Sequence, residues 1–207
     1  MNYYTKLEVF FDYICPWCYL NTVSIDRVQK EYGIVVDWKA FSLYPEIPEQ
    51  GIELSELFPG QKANSGSGKD RMRSAAEELG LPLDENRKTV SNSRRAHELG
   101  KWAESMGKGD LFRKAVFHAY FSEGRNIAQL SELENIARTA GLPAEQVTFV
   151  IDKGLFAESV DSDWHMSEKL GIVGVPFVIC EEGALAGFHP FEDYVKLLES
   201  STTLYFL

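Results

Sequence analysis

Short apolar runs near the start of the chain predict two strands with a helix between them. Residues 6–12 (KLEVFFD) are rich in β-branched and aromatic side chains and lack a helical period, which predicts a short buried strand. Residues 34–43 have the same character and predict a second strand. We expect the helix between them to end at Gly33, because glycine readily adopts the backbone conformation that closes a helix. Its mostly apolar face is formed by Leu20, Val23, Ile25 and Val28.

The middle of the chain is dominated by helical periodicity. Residues 60–68 (GQKANSGSG) predict a flexible polar loop or linker, and the pattern is almost entirely helical from residue 70 to about residue 153. Ser131 and Glu134 have the spacing of a capping box and predict the start of one of these helices. Because structureless connections of this length are rare, the stretch predicts a helical domain of its own.

Strand patterns return near the end of the chain. Residues 156–170 predict a helix, and residues 174–180 predict a turn that leads into a strand. Residues 182–183 predict a hairpin turn, and residues 184–188 predict the strand that returns from it. A helix over residues 191–198 closes the pattern.

The order of these patterns predicts an α/β protein. A β-α-β unit comes first, a helical segment follows, and an α-β-β-α unit comes last. We therefore predict one α/β domain formed by residues 1–60 and 155–207. An all-helical domain at residues 61–154 is inserted between its two halves.

Composition and charge narrow the range of partners. The 207 residues carry a formal net charge of -10 and no basic stripe, which argues against a nucleic-acid partner. No apolar stretch approaches the ~20 residues that span a membrane, so no membrane partner is expected. The N-terminus lacks the basic start and the cleavage site of a secretory signal, which predicts a cytoplasmic protein.

Two cysteines lie at the junction between the first predicted strand and the first predicted helix. Cys15 falls at the helix N-terminus, where unpaired N–H groups and the helix dipole favour the thiolate, the nucleophilic form of cysteine. Cys18 follows about one helical turn later and can form a disulfide with Cys15. Pro16 is compatible with a first helical turn, and Trp17 offers an apolar contact for a substrate. The spacing therefore predicts a redox-active pair, although the nearby carboxylate of Asp12 opposes a thiolate.

Two other interpretations of the cysteine pair remain open. The pair is also compatible with two buried thiols in an ordinary helix, or with half of a zinc site. Structural zinc usually requires four ligands, whereas the chain has no second Cys-x-x-Cys and its histidines are scattered, so no metal site is predicted. Cys180 stands alone and is predicted to pack in the core of a late strand.

The cysteine motif and three other segments together resemble a known family. The CPWC motif at residues 15–18 and the late Gly-Val-Pro at residues 174–176 resemble the DsbA-like thioredoxin-fold oxidoreductases. The likeness is greatest to the cytoplasmic FrnE-like branch, which residues 93–97 (SRRAH) and 119–127 (AYFSEGRNI) also resemble. The resemblance covers nearly the whole chain and implies a thioredoxin fold with a helical insert.

The resemblance also implies the chemistry of the site. It makes Cys15 the nucleophile and Cys18 the resolving thiol of a thiol-disulfide oxidoreductase that requires no cofactor beyond this pair. It further implies that Pro176 is cis and that the backbone of Val175 pairs with an extended substrate. Thiols or disulfides, in proteins or small molecules, are the expected partners. Because a cytoplasm keeps most thiols reduced, reduction or isomerisation is favoured over disulfide donation.

A related branch offers a second function. The glutathione transferase kappa and hydroxychromene-carboxylate isomerase proteins share the fold and the insert, and they have a serine where this chain has Cys15. The presence of both Cys15 and Cys18 favours redox chemistry, but glutathione stays a candidate co-substrate. A third hypothesis is a non-catalytic binding module that uses the insert as an apolar groove. The residues expected to line a cleft for glutathione are His118, Tyr120, Arg125 and Asn126.

Overall fold

The computed structural model describes residues 6–59, 67–181 and 183–200. The predicted linker at residues 60–68 and the predicted hairpin turn at residues 182–183 therefore fall partly outside the described residues. Within these residues, no helix has the length and apolar character that a membrane crossing requires.

A mixed sheet lies at the centre of the fold. β1 (Lys6–Phe11) pairs in parallel with β2 (Val35–Ala40) and antiparallel with β5 (Phe177–Cys180). β5 in turn pairs antiparallel with β6 (Gly183–Ala186), which gives the order β2-β1-β5-β6. Because β1 is central, its residues after Lys6 are buried or half-buried, and this explains its nearly continuous apolar sequence. The predicted α/β class is confirmed.

Helix α1 (Pro16–Tyr32) connects the two parallel strands, which cannot be joined by a tight turn. Pro16 occupies the first helical position, where no N–H is needed. The helix ends as predicted at Gly33, which has a φ of 64° and donates its N–H to the carbonyl of Gln29 at 3.0 Å. Leu20, Ile25 and Val28 of the predicted apolar face are buried, whereas Val23 is half-buried.

Helices follow one another through the middle of the chain, as predicted. The last two, α6 (Leu130–Thr139) and α7 (Val147–Asp152), are separated by a single 3₁₀ turn (Ala144–Gln146). The buried faces of the helices in this region contribute to one core, which includes the aromatic side chains of Phe112, Phe117 and Tyr120. The helices are α3 (Ser67–Glu78), α4 (Arg94–Ser105), α5 (Gly109–Phe121), α6 (Leu130–Thr139) and α7 (Val147–Asp152).

A small strand pair interrupts this helical region. β3 (Ile52–Glu53) pairs antiparallel with β4 (Thr89–Val90), and a short helix, α2 (Leu54–Leu57), follows β3 directly. Two-residue strands leave no periodic signal in a sequence, so the hydrophobic pattern does not predict them. The pairing links the predicted insert to the segment before it, and the proposed boundaries at residues 60/61 and 154/155 stay predictions.

The capping box predicted at Ser131 and Glu134 is wrong. The N-cap of helix α6 is Gln129, two residues before Ser131, and no side chain caps the helix. The carboxylate of Glu134 instead accepts a hydrogen bond from the Thr148 hydroxyl of α7 at 3.1 Å. A contact between two helices has therefore replaced the local contact that the spacing suggested.

The final helices lie close to their predicted positions. α8 (Ala157–Lys169) precedes the loop into β5, and α9 (Phe191–Ser200) packs against α1. Gly171 follows α8 with a φ of 67°, a conformation that favours glycine and ends the helix. Cys180 is buried at the end of β5, which confirms that it packs in a strand.

One buried carboxylate joins α8 to the sheet and to α4. Asp163 of α8 accepts the N–H of Ala40, the last residue of β2, at 2.8 Å. The same carboxylate lies 2.7 Å from the Lys101 ammonium of α4 and 3.6 Å from that of Lys39. All three charged side chains are largely buried. The two ammonium groups therefore depend on the carboxylate, and the carboxylate on them, for the stabilisation that water would otherwise supply.

We expect Asp163→Ala to lower the free energy of unfolding by about 3 kcal/mol, because two lysines and one backbone N–H lose their shared partner. Denaturant titration measures this change. Asp163→Asn keeps an acceptor for the N–H of Ala40 and should lose less stability. The control is Asp152→Ala, which removes an exposed carboxylate from α7; an equal loss in that variant would contradict the role given to Asp163.

Candidate functional site

The cysteine pair lies at the junction between β1 and α1. Cys15 is the N-cap of the helix, with extended backbone angles of φ -81° and ψ 114°. Its sulfur accepts the backbone N–H of Cys18 at 3.3 Å. The thiol therefore caps the helix, a role that a serine or aspartate oxygen usually has. A sulfur in this position is in contact with the positive end of the helix dipole, which stabilises negative charge on it.

The loop before β5 lies directly opposite Cys15. The peptide bond between Val175 and Pro176 is cis. The Cys15 thiol donates a hydrogen bond to the carbonyl of Val175, with 3.4 Å between the heavy atoms, across 160 positions of sequence. The Pro176 carbonyl accepts the N–H of Gly187 at 2.8 Å, which ties the loop to the end of β6. The motif at residues 15–18 and the motif at residues 174–176 thus form one site.

The two thiols of the pair are not equivalent. Burial raises the pKa of the Cys18 thiol well above its ordinary value. The neighbouring Cys15 and the negative charge of Asp12 raise this pKa further, whereas a hydrogen bond with the backbone of Asp12 lowers it. Cys18 therefore stays protonated at neutral pH unless a base removes its proton.

Asp12 organises the loop that carries Cys15. Its side chain is completely buried. One carboxylate oxygen accepts the N–H of Ile14 at 3.2 Å, and the other accepts the N–H of Leu43 at 2.8 Å. Its backbone carbonyl accepts the N–H of Cys15 at 3.1 Å. Sequence reasoning treated Asp12 only as a charge opposing the thiolate and missed this structural role, because Leu43 approaches it only in the folded chain.

Several apolar side chains lie close to the two motifs in sequence or in space. Trp17 is half-buried, with its ring 5.8 Å from that of Phe188. Burial raises the pKa of Tyr44, and the charge of Cys15 adds to that effect. Val173, two residues before Val175, is 96% exposed. Sequence reasoning singled out Trp17 alone among these four residues, although an apolar residue just before the Gly-Val-Pro motif was a usable signal for Val173.

Two of the predicted cleft residues lie on the surface around Glu123. His118 is exposed on α5, with its Nδ1 3.6 Å from the Glu123 carboxylate. The guanidinium of Arg125 lies 2.8 Å from the same carboxylate and 3.6 Å from that of Glu132. These contacts stabilise the loop after α5, and none of them involves the cysteine motif. A role for either residue in ligand binding stays a prediction.

The other two predicted cleft residues take part in packing. Tyr120 is buried, and the guanidinium of Arg87 lies 4.2 Å from the centre of its ring. Asn126 donates its amide N–H to the carbonyl of Glu49 at 2.9 Å. Burial raises the pKa of Tyr120 to about 12, so this phenol is neutral at physiological pH. Ligand contacts by these two side chains also remain predictions.

The described residues contain no group of three or more His, Cys, Asp or Glu side chains that is arranged to hold a metal ion. His97 is buried beside Asp12, whereas His165 is exposed on α8 and His189 lies next to Asp193 of α9. The donors that zinc prefers are thus dispersed through this part of the fold.

Comparison with known proteins connects this geometry to a family. A family model described as a DSBA-like thioredoxin domain matches residues 6–199. The probable DsbA oxidoreductase SCO1869 from Streptomyces coelicolor has a similar structure, with a TM-score of 0.87 at 22% sequence identity. The likeness covers 96% of this chain and 90% of SCO1869.

Two further solved structures share the architecture at lower similarity. The cytosolic disulfide reductase DsbM from Pseudomonas aeruginosa has a TM-score of 0.70 at 18% identity, over 96% of this chain and 99% of DsbM. Another structure of DsbM was determined with GSH. A 2-hydroxychromene-2-carboxylate isomerase has a TM-score of 0.68 at 17% identity, over 96% of this chain and 94% of its own. At such identities the likeness shows the fold.

The difference between the two thiols predicts selective alkylation. In a Cys180→Ala background at about pH 8, we expect iodoacetamide to modify Cys15 much faster than Cys18, because the raised pKa keeps Cys18 protonated. Mass spectrometry of the Cys15→Ser and Cys18→Ser variants measures the two rates separately. Burial is the main cause of the raised Cys18 pKa, and it remains in the Cys15→Ser variant. Cys18 should therefore react appreciably only at a pH above 9.0, the ordinary pKa of a thiol. Equal alkylation rates in the two variants would contradict the prediction that Cys15 is the more reactive thiol.

Proposed function

Because the chain belongs to the DsbA-like thioredoxin domain family, we propose that it is a thiol-disulfide oxidoreductase whose reaction is carried out by Cys15 and Cys18. The observation that supports this most strongly is the position of the Cys15 sulfur. It caps the N-terminus of α1 and faces the Val175 carbonyl, 3.4 Å away. Membership of the FrnE-like branch within the family stays a prediction.

The proposed reaction begins with the reduced pair. The Cys15 thiolate attacks one sulfur of a substrate disulfide, a mixed disulfide forms, and the other substrate sulfur leaves as a thiolate that takes up a proton. Cys18 then loses its proton and attacks the Cys15 sulfur. The Cys15–Cys18 disulfide forms, and the second substrate thiol is released. Two electrons and two protons pass from the pair to the substrate, and an external thiol must reduce the pair again.

The asymmetry of the two thiols fits this order of events. Cys15 is the sulfur at the helix N-terminus, and it also faces the loop of residues 173–176. The raised pKa of Cys18 keeps that thiol protonated until the mixed disulfide has formed. Cys18 is therefore well suited to the second step and poorly suited to the first.

The loop of residues 173–176 is the proposed binding surface for the substrate. In the reduced protein, the Val175 carbonyl accepts the Cys15 thiol hydrogen. Once Cys15 is bonded to a substrate sulfur, that hydrogen is gone and the carbonyl is free to accept a backbone N–H from an extended substrate, as in strand addition. The exposed Val173 and the half-buried Trp17 then offer apolar contacts on either side.

We favour reduction or isomerisation in the cytoplasm over disulfide donation, because cytoplasmic thiols are kept reduced. The likeness to DsbM, which is described as a cytosolic disulfide reductase, supports this direction. The DsbM structure with GSH supports glutathione as the thiol that reduces the pair again. The exposed side chain of His118 and the half-buried guanidinium of Arg125 are candidate contacts for its carboxylates.

A glutathione-dependent isomerase or transferase is the second candidate function. The structural likeness to 2-hydroxychromene-2-carboxylate isomerase favours it. In that function Cys15 would stabilise the glutathione thiolate, and Cys18 would have no chemical step. The two functions are therefore distinguished by the need for Cys18.

We expect the reduced protein to accelerate the reduction of insulin by a thiol, and we expect Cys15→Ser to abolish the acceleration because the attacking sulfur is lost. Cys18→Ala should trap a mixed disulfide with the substrate, which gel electrophoresis without reductant detects. Cys180→Ala is the matched control and should retain full activity. Full turnover by Cys18→Ala with a glutathione conjugate would favour the isomerase or transferase instead.

The apolar entrance predicts a selective effect on substrate binding. Val173→Ser should raise KM for a peptide disulfide about threefold to tenfold and leave kcat nearly unchanged, because one apolar contact is lost. Val35→Ser is the control, since Val35 is 50% exposed at the opposite end of the sheet. An equal change in KM for both variants would contradict the proposed position of the substrate.

A further inference from the structure

One half-buried arginine has no carboxylate partner among the described residues. Arg87 lies in the loop between α3 and β4. Its guanidinium carbon is 4.2 Å from the ring centre of Tyr120 and 4.8 Å from that of Phe121. Nε and Nη1 of this side chain are buried, and no described residue accepts a hydrogen bond from either nitrogen. The charge of Arg87 is therefore partly removed from water and left unpaired.

This lack of a partner distinguishes Arg87 from the other arginines that the fold covers. Within the described part of the chain, every other buried or half-buried arginine forms an ion pair with a carboxylate at 2.5 to 2.9 Å. These arginines are Arg94, Arg95, Arg113 and Arg125. Carboxylates are not scarce, since the chain has 31 acidic and 21 basic side chains. A charge that is partly removed from water requires a partner, and a bound anion would supply it.

The carboxylate nearest to Arg87 in the loop has other contacts. Oδ1 of Asp84 accepts the N–H of Asn86 at 2.9 Å. Oδ2 of Asp84 lies against Gly124, where a Cβ would come within 2.5 Å of it. The N–H of Asp84 is also bonded to the carbonyl of Phe121 at 2.5 Å. The loop is thus fixed on the end of α5 while its arginine stays unpaired, so a ligand would meet a preorganised group.

The aromatic contacts do not replace a hydrogen-bond acceptor. A ring attracts a cation that lies over its face, but it satisfies few of the five N–H groups of a guanidinium. These N–H groups lie in one plane, and arginine commonly binds both oxygens of a carboxylate through two parallel hydrogen bonds. Because Nη2 is not among the buried nitrogens of Arg87, a carboxylate would approach from the side of Nη2.

Phe121 and Tyr19 connect Arg87 to the helix that carries the redox pair. The ring of Phe121 stacks on that of Tyr19, with 4.9 Å between their centres and 2° between their planes. Tyr19 lies in the first turns of α1 and donates its N–H to the carbonyl of Cys15 at 3.1 Å. The hydroxyl of Tyr19 donates to the carbonyl of Pro82 at 3.3 Å, which joins the Arg87 loop to α1. An anion held by Arg87 would therefore lie close to the start of α1.

We propose that Arg87 is a specificity-determining residue that binds a carboxylate of the disulfide substrate. The inference rests on the proposed oxidoreductase function and names its substrates as anionic disulfides. Oxidised glutathione and a disulfide within an acidic peptide segment both carry the required group. Arg125 is less suited to this role, because its guanidinium already lies 2.8 Å from the carboxylate of Glu123.

The test compares three small disulfides that differ in charge. Oxidised glutathione is anionic, bis(2-hydroxyethyl) disulfide is neutral and cystamine is cationic. In a Cys180→Ala background, each of them should oxidise the reduced protein to the Cys15–Cys18 disulfide and be reduced to two thiols. Rapid quenching in acid, alkylation and mass spectrometry measure the rate constant. The ratio of variant to wild type is compared, so that the overall negative charge of the protein largely cancels.

We expect Arg87→Met to lower the rate constant with oxidised glutathione about tenfold, because a charge-assisted hydrogen bond is lost. The neutral disulfide should react at nearly the wild-type rate. Cystamine should react faster than with the wild type, because a repelling charge is gone. Unfolding would not produce this pattern, since it would change all three rate constants in the same direction.

Two further variants show whether charge and shape both matter. Arg87→Lys should retain part of the rate with oxidised glutathione, because it keeps the charge and loses the planar pair of donors. Arg138→Met removes an exposed arginine from α6 and is the matched control, which should leave all three rate constants unchanged.

Two peptide disulfides, with Glu or Gln beside the cysteine, distinguish the sources of the carboxylate. A loss confined to oxidised glutathione assigns the subsite to a small molecule, whereas an equal loss with the Glu peptide extends it to acidic protein segments. If Arg87→Met changes the rate constants of charged and neutral disulfides equally, or changes none of them, the proposal is overturned. If no disulfide oxidises the wild type, the proposed oxidoreductase function itself fails.

Discussion

The pairing of β1 with β5 is the interaction on which the candidate site depends. It places Val9 opposite Val178 and thereby brings a late loop against the residues that follow β1. The Cys15 sulfur and the Val175 carbonyl meet there at 3.4 Å. Because β1 is also paired with β2, it cannot shift without breaking the sheet on both sides, and so the position of the cysteine pair is held by the most buried strand of the protein.

Buried charges connect the helical insert to this sheet. Asp163 joins α8 and α4 to the end of β2, and the carboxylate of Asp12 joins the loop before Cys15 to the segment after β2. Each of these carboxylates accepts backbone N–H groups that would otherwise be buried without a partner. His97 of α4 also approaches Asp12, with 3.5 Å between its Nε2 and the carboxylate, so the helical insert contacts the loop that carries Cys15.

The predictions from the sequence succeeded where the signal is local. The central strands, α1 and its end at Gly33, and the late helices lie close to their predicted positions, and the resemblance to DsbA-like proteins is confirmed by the family match. The capping box at Ser131 failed because Glu134 found a partner on another helix. The β3–β4 pair was missed because two residues carry no period.

The sequence by itself determined where the cysteine pair lies relative to the first helix. A strand, a Cys-x-x-Cys and a helix in immediate succession place one thiol at a helix N-terminus and the other one turn later, and this arrangement depends only on neighbours in the chain. Tertiary structure alone decided what surrounds the thiols: the carbonyl of Val175, the burial that raises the pKa of Cys18, and the Asp12–His97 contact. These contacts join residues far apart in sequence, and no local pattern encodes such distances, because they arise only when the sheet and the insert pack together.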